Sequence, residues 1–177
     1  MRISCVISCS FRFLNELTEL IDNLRSVNVE VLAPRSTTIR KQRGDFGILE
    51  SDKKEEPGEL QKDFMYKIQG ADFHYAFLPD KRFGASVAAE TCWAFHHDIP
   101  SIWSCIPQRF SESVEPEFIQ LLTEIRYFDG ILSPEELVQR IQTELITKAL
   151  LVERKAIKKE YFKLLGIQKP PLEIIRI

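Results

Sequence analysis

The sequence predicts an α/β fold, a mostly parallel sheet covered by helices, and three observations lead there. Short apolar runs that read as buried strands alternate along the chain with stretches in which apolar residues recur every three or four positions. Pro, Gly and Asn stand at the borders between the two kinds of segment. The chain has 177 residues, enough for one domain with a sizeable core and an elaboration.

Ile3 to Ile7 is the first expected strand. Leu14, Leu17, Leu20, Ile21 and Leu24 then recur at helical spacing with acidic residues between them, which gives an amphipathic helix. Asn28 introduces a second strand, Val29 to Ala33, and Pro34 stops it. From there to about Gly58 the residues are charged and without a clear period. A stretch of that length with no regular structure reads as a lid or binding loop, with disorder as the competing reading. A helix from about Glu59 to Gln69 leads through Gly70 to a strand over Phe73–Leu78, and a helix carrying Glu90 follows and runs to His96 or His97. Pro100 introduces a short fourth strand, Ser101–Ser104.

A helix around Val114–Ile125 and a fifth strand over Tyr127–Leu132 complete the expected domain, residues 1–133. Residues 134–177 are expected to form a helical extension. Ser133 caps it, with Pro134 at the first helical position and Glu136 closing a capping box. Whether it is one long helix or two packed ones stays open. Its apolar face, Leu137, Ile141, Leu145, Leu151 and Val152, needs cover from this domain or from another subunit, so a homo-oligomer is expected.

About five parallel strands suit the flavodoxin-like order 2-1-3-4-5, in which ligands bind at the carboxyl ends of the first and third strands. The two loops that meet there are Ser8-Cys-Ser-Phe-Arg12 and Pro79–Ser86. Glu90 follows the second of them and is the one charge within the apolar run Gly84–Phe95. Unpaired carboxylates are rarely buried, so it is either a functional group at the pocket or a residue on a solvated face or in an internal salt bridge.

A net charge of −2 gives no reason to expect affinity for nucleic acid or for an anionic membrane. No apolar stretch approaches the roughly 18 residues of a membrane span. The apolar start of the chain is too short for a signal peptide, which predicts a cytoplasmic protein. Cys5, Cys9, Cys92 and Cys105 form neither a zinc spacing nor a CxxC motif and read as reduced thiols, Cys9 being notable for its place at a strand end. His74 reads as a core histidine, and His96 and His97 as residues favoured at a helix carboxyl end. Asp45-Phe-Gly47 matches a kinase triplet, but no phosphate loop or catalytic loop accompanies it.

Cys9-Ser-Phe-Arg12 after the first strand, Val31-Leu-Ala-Pro-Arg-Ser36 at the second, and then Ala71-Asp72, the strand from Phe73, Gly84-Ala-Ser86, Glu90, Ala94 and Asp98-Ile-Pro100 form an ordered set of short motifs. In their order and spacing, over roughly residues 1 to 135, the chain resembles the nucleoside 2-deoxyribosyltransferase-like superfamily, which includes the 2'-deoxynucleoside 5'-phosphate N-hydrolases. The resemblance implies cleavage or transfer at the N-glycosidic bond of a nucleoside or nucleoside 5'-monophosphate, with Glu90 as nucleophile and a glycosyl-enzyme intermediate. It places the proton donor for the leaving base at Asp63, about one residue out of register, with Asp80 as fallback, while Asp72 reads as structural. Ser8, Cys9, Ser10, Arg12, Gly84 and Ser86 fall at the ligand-binding positions. Ser10 and Arg12 match the part that can meet a 5'-phosphate, against a plain helix cap and a surface arginine. No metal or cofactor is expected.

Two departures stand out: Cys9 and Cys92 occupy family glycine positions, and Trp93 is bulkier than the usual residue. They point either to a narrowed pocket or to lost activity. The rival function is therefore a non-catalytic nucleotide-binding or sensing module. A flavodoxin-type electron carrier is disfavoured, because the first loop lacks a flavin phosphate cradle.

Overall fold

The computed structural model describes residues 3–43, 46–105 and 107–110, together with the exposed helical positions Glu136, Gln139 and Thr143. The chain divides into two compact units, Met1–Gln139 and Arg140–Ile177, and everything below concerns the first. The expected helix over 114–125, the fifth strand and nearly all of the final helix lie outside the described residues.

The first strand, β1 (Ile3–Cys9), runs two residues beyond its expected end and is followed by a single 3-10 turn at Phe11–Phe13. Helix α1 (Leu14–Ser26) buries Leu17, Ile21 and Leu24, the spacing its sequence carries, and packs against β2 (Val29–Ala33). Asn28 makes the turn between them at a φ of 66°, a region asparagine tolerates better than most residues. Helix α2 (Pro57–Gln69) starts with Pro57 in its first turn, where the missing N–H has no cost. Strand β5 (Phe73–Phe77), helix α3 (Ala85–His96) and strand β7 (Ser101–Trp103) follow.

The central sheet is parallel, in the order β2-β1-β5-β7. It differs from the expected 2-1-3-4-5: four strands are described rather than five, and further strands intervene in the chain without joining this sheet. Two of these, β3 (Ile39–Arg43) and β4 (Phe46–Leu49), pair as an antiparallel hairpin inside the segment expected to lack regular structure. The reason is visible in β3. All five of its residues, Ile-Arg-Lys-Gln-Arg, are exposed, so no apolar alternation marks it. Cross-strand backbone bonds and ion pairs to the returning chain hold it instead, among them Lys41–Glu55 and Arg43–Glu56, each at 2.9 Å. The third intervening strand, β6 (Arg82–Phe83), lies in the loop after β5 and pairs with β8 (Arg109–Phe110).

Along β1, Val6 points to the side where α2 and α3 pack and joins Ile68, Ala71 and Ala94 in one apolar cluster. The Trp93 indole donates to the Met65 carbonyl at 2.9 Å and ties those helices together. At the amino end of the sheet Asp72 accepts from both the backbone N–H and the hydroxyl of Ser4, at 2.8 Å each. That clasp fixes the register between β1 and β5 and fits the structural role expected for Asp72. No helix among the described residues is long and apolar enough to cross a membrane.

Candidate functional site

β1 and β5 run side by side, and Cys9 at the end of one is paired with Phe77 at the end of the other. The two loops therefore leave the sheet at the same carboxyl edge, where a cavity of about 850 Å³ opens. Its lining includes Ser8–Phe13 from the first loop, Leu78–Asp80 and Gly84–Val87 from the second, and Glu90 on α3. Hairpin residues Ile39, Gln42, Gly47 and Leu49 form a further wall that periodicity in the sequence does not reveal.

Glu90 is buried, with 7% of its surface exposed. Gln61 on α2 donates its side-chain amide to Glu90 Oε1 at 2.9 Å. Burial pushes the Glu90 carboxyl up to about 7, and the Gln61 amide and the Ser8 hydroxyl pull part of the way back. The group is thus poised between its two protonation states near neutral pH. Sequence reading missed Gln61, although a signal was there. It shares a helix face with Phe64, Met65 and Ile68, a polar side chain at the spacing of an apolar stripe.

Asp63 lies off that stripe. It touches the cavity rim, but its carboxylate is about half-exposed and paired with Lys67 at 2.6 Å. Asp80 stands at the mouth between two guanidiniums, Arg12 at 3.3 Å and Arg109 at 3.7 Å, and accepts from the Arg82 N–H at 3.1 Å. Ser10 has the extended backbone of a cap residue, yet its side chain makes no cap bond and accepts from Arg12 Nε at 3.3 Å. Gly84 precedes the first turn of α3, and Ser86 lies exposed within that turn, on the lining.

The departures from the family pattern fall in different places. Cys92 packs against the Phe83–Trp103 cluster, and Trp93 joins the cluster between α2 and α3, so neither lines the cavity. Cys9 does line it. Burial, followed by the charges of Glu16 and Asp80, pushes its thiol up to about 12, so it is protonated and unreactive at neutral pH. Among the described residues no group of His, Cys, Asp and Glu is placed to hold a metal ion.

No protein-family model and no curated protein sequence matches the chain. The solved structures similar to it include two that cover most of the chain. A conserved protein from Enterococcus faecalis V583 matches over 81% of this chain and 99% of its own, with a TM-score of 0.50 and 14% identity. Both it and the second neighbour have the nucleoside 2-deoxyribosyltransferase-like fold. The chain shares the α/β fold of the first. The second neighbour, the CMP N-glycosidase BcmB from Clostridium botulinum, matches over 80% of this chain and 98% of its own, with a TM-score of 0.44 and 15% identity. That likeness is too loose to bear on chemistry, and the first, at 14% identity, speaks for the α/β fold alone.

Proposed function

We propose that the protein cleaves or transfers the N-glycosidic bond of a nucleoside or nucleoside 5'-monophosphate, with Glu90 as the nucleophile. The observation that carries this reading is the Glu90 carboxyl itself, buried at the sheet's carboxyl edge and opening on a cavity large enough for such a ligand. Departure of the base leaves an oxocarbenium-like sugar, which a carboxylate held nearby stabilises and then captures. In this scheme Glu90 attacks the anomeric carbon as the bond to the base breaks. The resulting glycosyl ester is resolved by water, giving hydrolysis, or by a second base, giving transfer.

A nucleophile must be ionised, and two neutral donors, Gln61 and Ser8, offset part of the desolvation that opposes this. The departing base takes its proton from Asp63 or Asp80, the two carboxylates at the cavity rim. Ser10, Arg12 and the first turn of α3 with Ser86 bind the sugar and its 5' end. Cys9 narrows the loop where a glycine would let a ligand approach the backbone closely.

Release of free base from a panel of nucleosides, 2'-deoxynucleosides and their 5'-monophosphates, followed by chromatography, tests the reading. Wild type should release base and Glu90→Gln should not, while still folding. Adding a second base separates transfer from hydrolysis. Saturable binding without turnover would replace the enzyme with a nucleotide-binding module in which Glu90 is a ligand contact.

A further inference from the structure

Behind Glu90 a chain of buried polar groups crosses three strands. Ser8 on β1, His74 on β5 and Ser101 on β7 are all buried, His74 completely. The Ser8 Oγ lies 2.7 Å from His74 Nε2, and the Ser101 Oγ lies 2.8 Å from His74 Nδ1. The register explains the alignment: His74 pairs with Val6 on one side and with Ser101 on the other, and Ser8 follows two residues along the same face as Val6. A core strand at this place calls for an apolar residue, and three adjoining strands carry polar ones instead. At its Ser8 end the row opens on the cavity that Glu90 also lines, where the Ser8 hydroxyl favours the ionised form of that carboxyl.

Each hydroxyl has a single proton to donate, so the row admits two complete hydrogen arrangements. In the first, Ser101 donates to Nδ1, Nε2–H donates to Ser8, and Ser8 must donate to Glu90, which suits a carboxylate. In the second, Glu90 carries a proton and donates it to Ser8, Ser8 donates to Nε2, and Nδ1–H donates to Ser101. The imidazole is neutral in both, as its burial dictates by pushing it down to about 3. Passing from the first to the second requires one proton from solvent, which ends on Glu90.

We propose that Ser8, His74 and Ser101 form an orientation relay in which His74 is a positioning residue, its tautomer set by whether Glu90 is ionised and in turn aiming the Ser8 hydroxyl at that carboxyl. A histidine that merely fills and satisfies the core would keep one tautomer. The relay concerns the protonation of Glu90 and holds whether that group is a nucleophile or a ligand contact.

Other titratable groups open on the same cavity. Cys9 ends β1 and Arg12 follows it, Arg35 follows β2, and Asp52 follows β4, where it accepts from the Leu49 N–H. Asp63 and Lys67 pair on α2, while Asp80 and Arg82 lie in the loop after β5. Substituting Glu90 by Gln leaves all of these in place, so a transition that vanishes in that variant belongs to Glu90.

The chain has three histidines, which makes imidazole nitrogen spectra easy to assign. In 15N-histidine-labelled protein observed from pH 5 to 9, His74 should stay neutral. Its tautomer ratio should invert in favour of Nε2–H with the midpoint of Glu90 ionisation. The inversion should be absent from Glu90→Gln and from Ser8→Ala. A single tautomer across the range, or an inversion that persists in Glu90→Gln, would overturn the relay. Neither readout needs turnover, so failure of the relay and failure of the proposed activity are separately visible.

Discussion

Gln61 Nε2 lies 2.9 Å from Glu90 Oε1, an amide on α2 donating to the one carboxylate buried in α3. A hydrogen bond to a charged group is worth about 1.5–3 kcal/mol, which corresponds to about one to two pKa units. Gln61→Leu keeps the volume and removes the donor, so the Glu90 carboxyl should rise further above its value of about 7. If Glu90 acts as a carboxylate, the acid limb of kcat/KM should move alkaline by about one unit or more. The variant should lose roughly tenfold at pH 7 and converge on wild type at high pH. An unmoved limb would mean that Gln61 only packs.

Glu90 and His74 should leave opposing marks on stability. Glu90 has a folded pKa near 7 against an ordinary 4.5, so the folded state holds a proton the unfolded chain has lost, and stability falls as pH rises between those values. His74 has a folded pKa near 3 against 6.5, so the unfolded chain binds the extra proton and stability rises with pH between 3 and 6.5. From pH 4.5 to 6.5 the two slopes cancel. Glu90→Gln removes one of them, so its stability should climb with pH across that window by about 1.4 kcal/mol per unit. The variant should end about 3 kcal/mol more stable than wild type above pH 7. Denaturant melts at half-unit pH intervals check this, and parallel curves for the two proteins would show that Glu90 is not held in its neutral form.

How much of this was legible beforehand depends on which force placed each residue. The sheet strands and α1 are set by burial, and burial leaves a period in the sequence, so Val29–Ala33 stands where it was expected and Leu17, Ile21 and Leu24 face inward. The loops flanking the cavity followed from that order. The β3–β4 hairpin was not legible because backbone pairing and charge hold it, and exposed residues such as Arg40 and Lys41 carry no alternation. His74 was legible as a core histidine, but not its two serine partners, since only the strand register brings Ser8 and Ser101 to its ring.

The hairpin walls the cavity while depending on exposed ion pairs, and that combination separates stability from binding. Lys41 and Arg43 reach Glu55 and Glu56 at 2.9 Å, and the Lys41 ammonium holds the Glu55 carboxyl below its usual range. Exposed pairs contribute little to global stability. Glu55→Gln combined with Glu56→Gln should therefore leave the melting temperature nearly unchanged while weakening ligand affinity severalfold. Wild-type affinity should fall in high salt for the same reason. Equal affinity in variant and wild type, by calorimetry, would show that the hairpin keeps its place without these pairs.

Packing under the hairpin gives a sharper test. A Cβ built on Gly47 would stand 2.9 Å from Phe11 Cδ2 and 3.1 Å from Cε2, closer than carbon atoms tolerate. Gly47→Ala must then turn the Phe11 ring or lift the hairpin, and both line the cavity. The strain should lower stability by about 1–3 kcal/mol, the usual range for overpacking. Under the proposed function, affinity for a nucleotide ligand should drop with it. Phe11→Leu in the Gly47→Ala background removes the ring that clashes and should restore most of the stability. Failure of that second change to restore it would place the strain in the hairpin backbone rather than against Phe11.

Arg12 is the group on which phosphate recognition turns. It is 60% exposed at the cavity mouth, bonded to Ser10 and paired with Asp80, a carboxylate that a 5'-phosphate would have to displace or share. Under the proposed function Arg12→Ala should lower kcat/KM for 5'-monophosphates about tenfold, as expected when one charge-assisted contact is lost, and leave nucleosides nearly unchanged. Asp80→Asn frees the guanidinium and should shift the ratio of monophosphate to nucleoside kcat/KM the other way, provided Asp80 is not the proton donor. A collapse of kcat on both substrate classes in Asp80→Asn, with Asp63→Asn active, would instead assign the proton donor to Asp80.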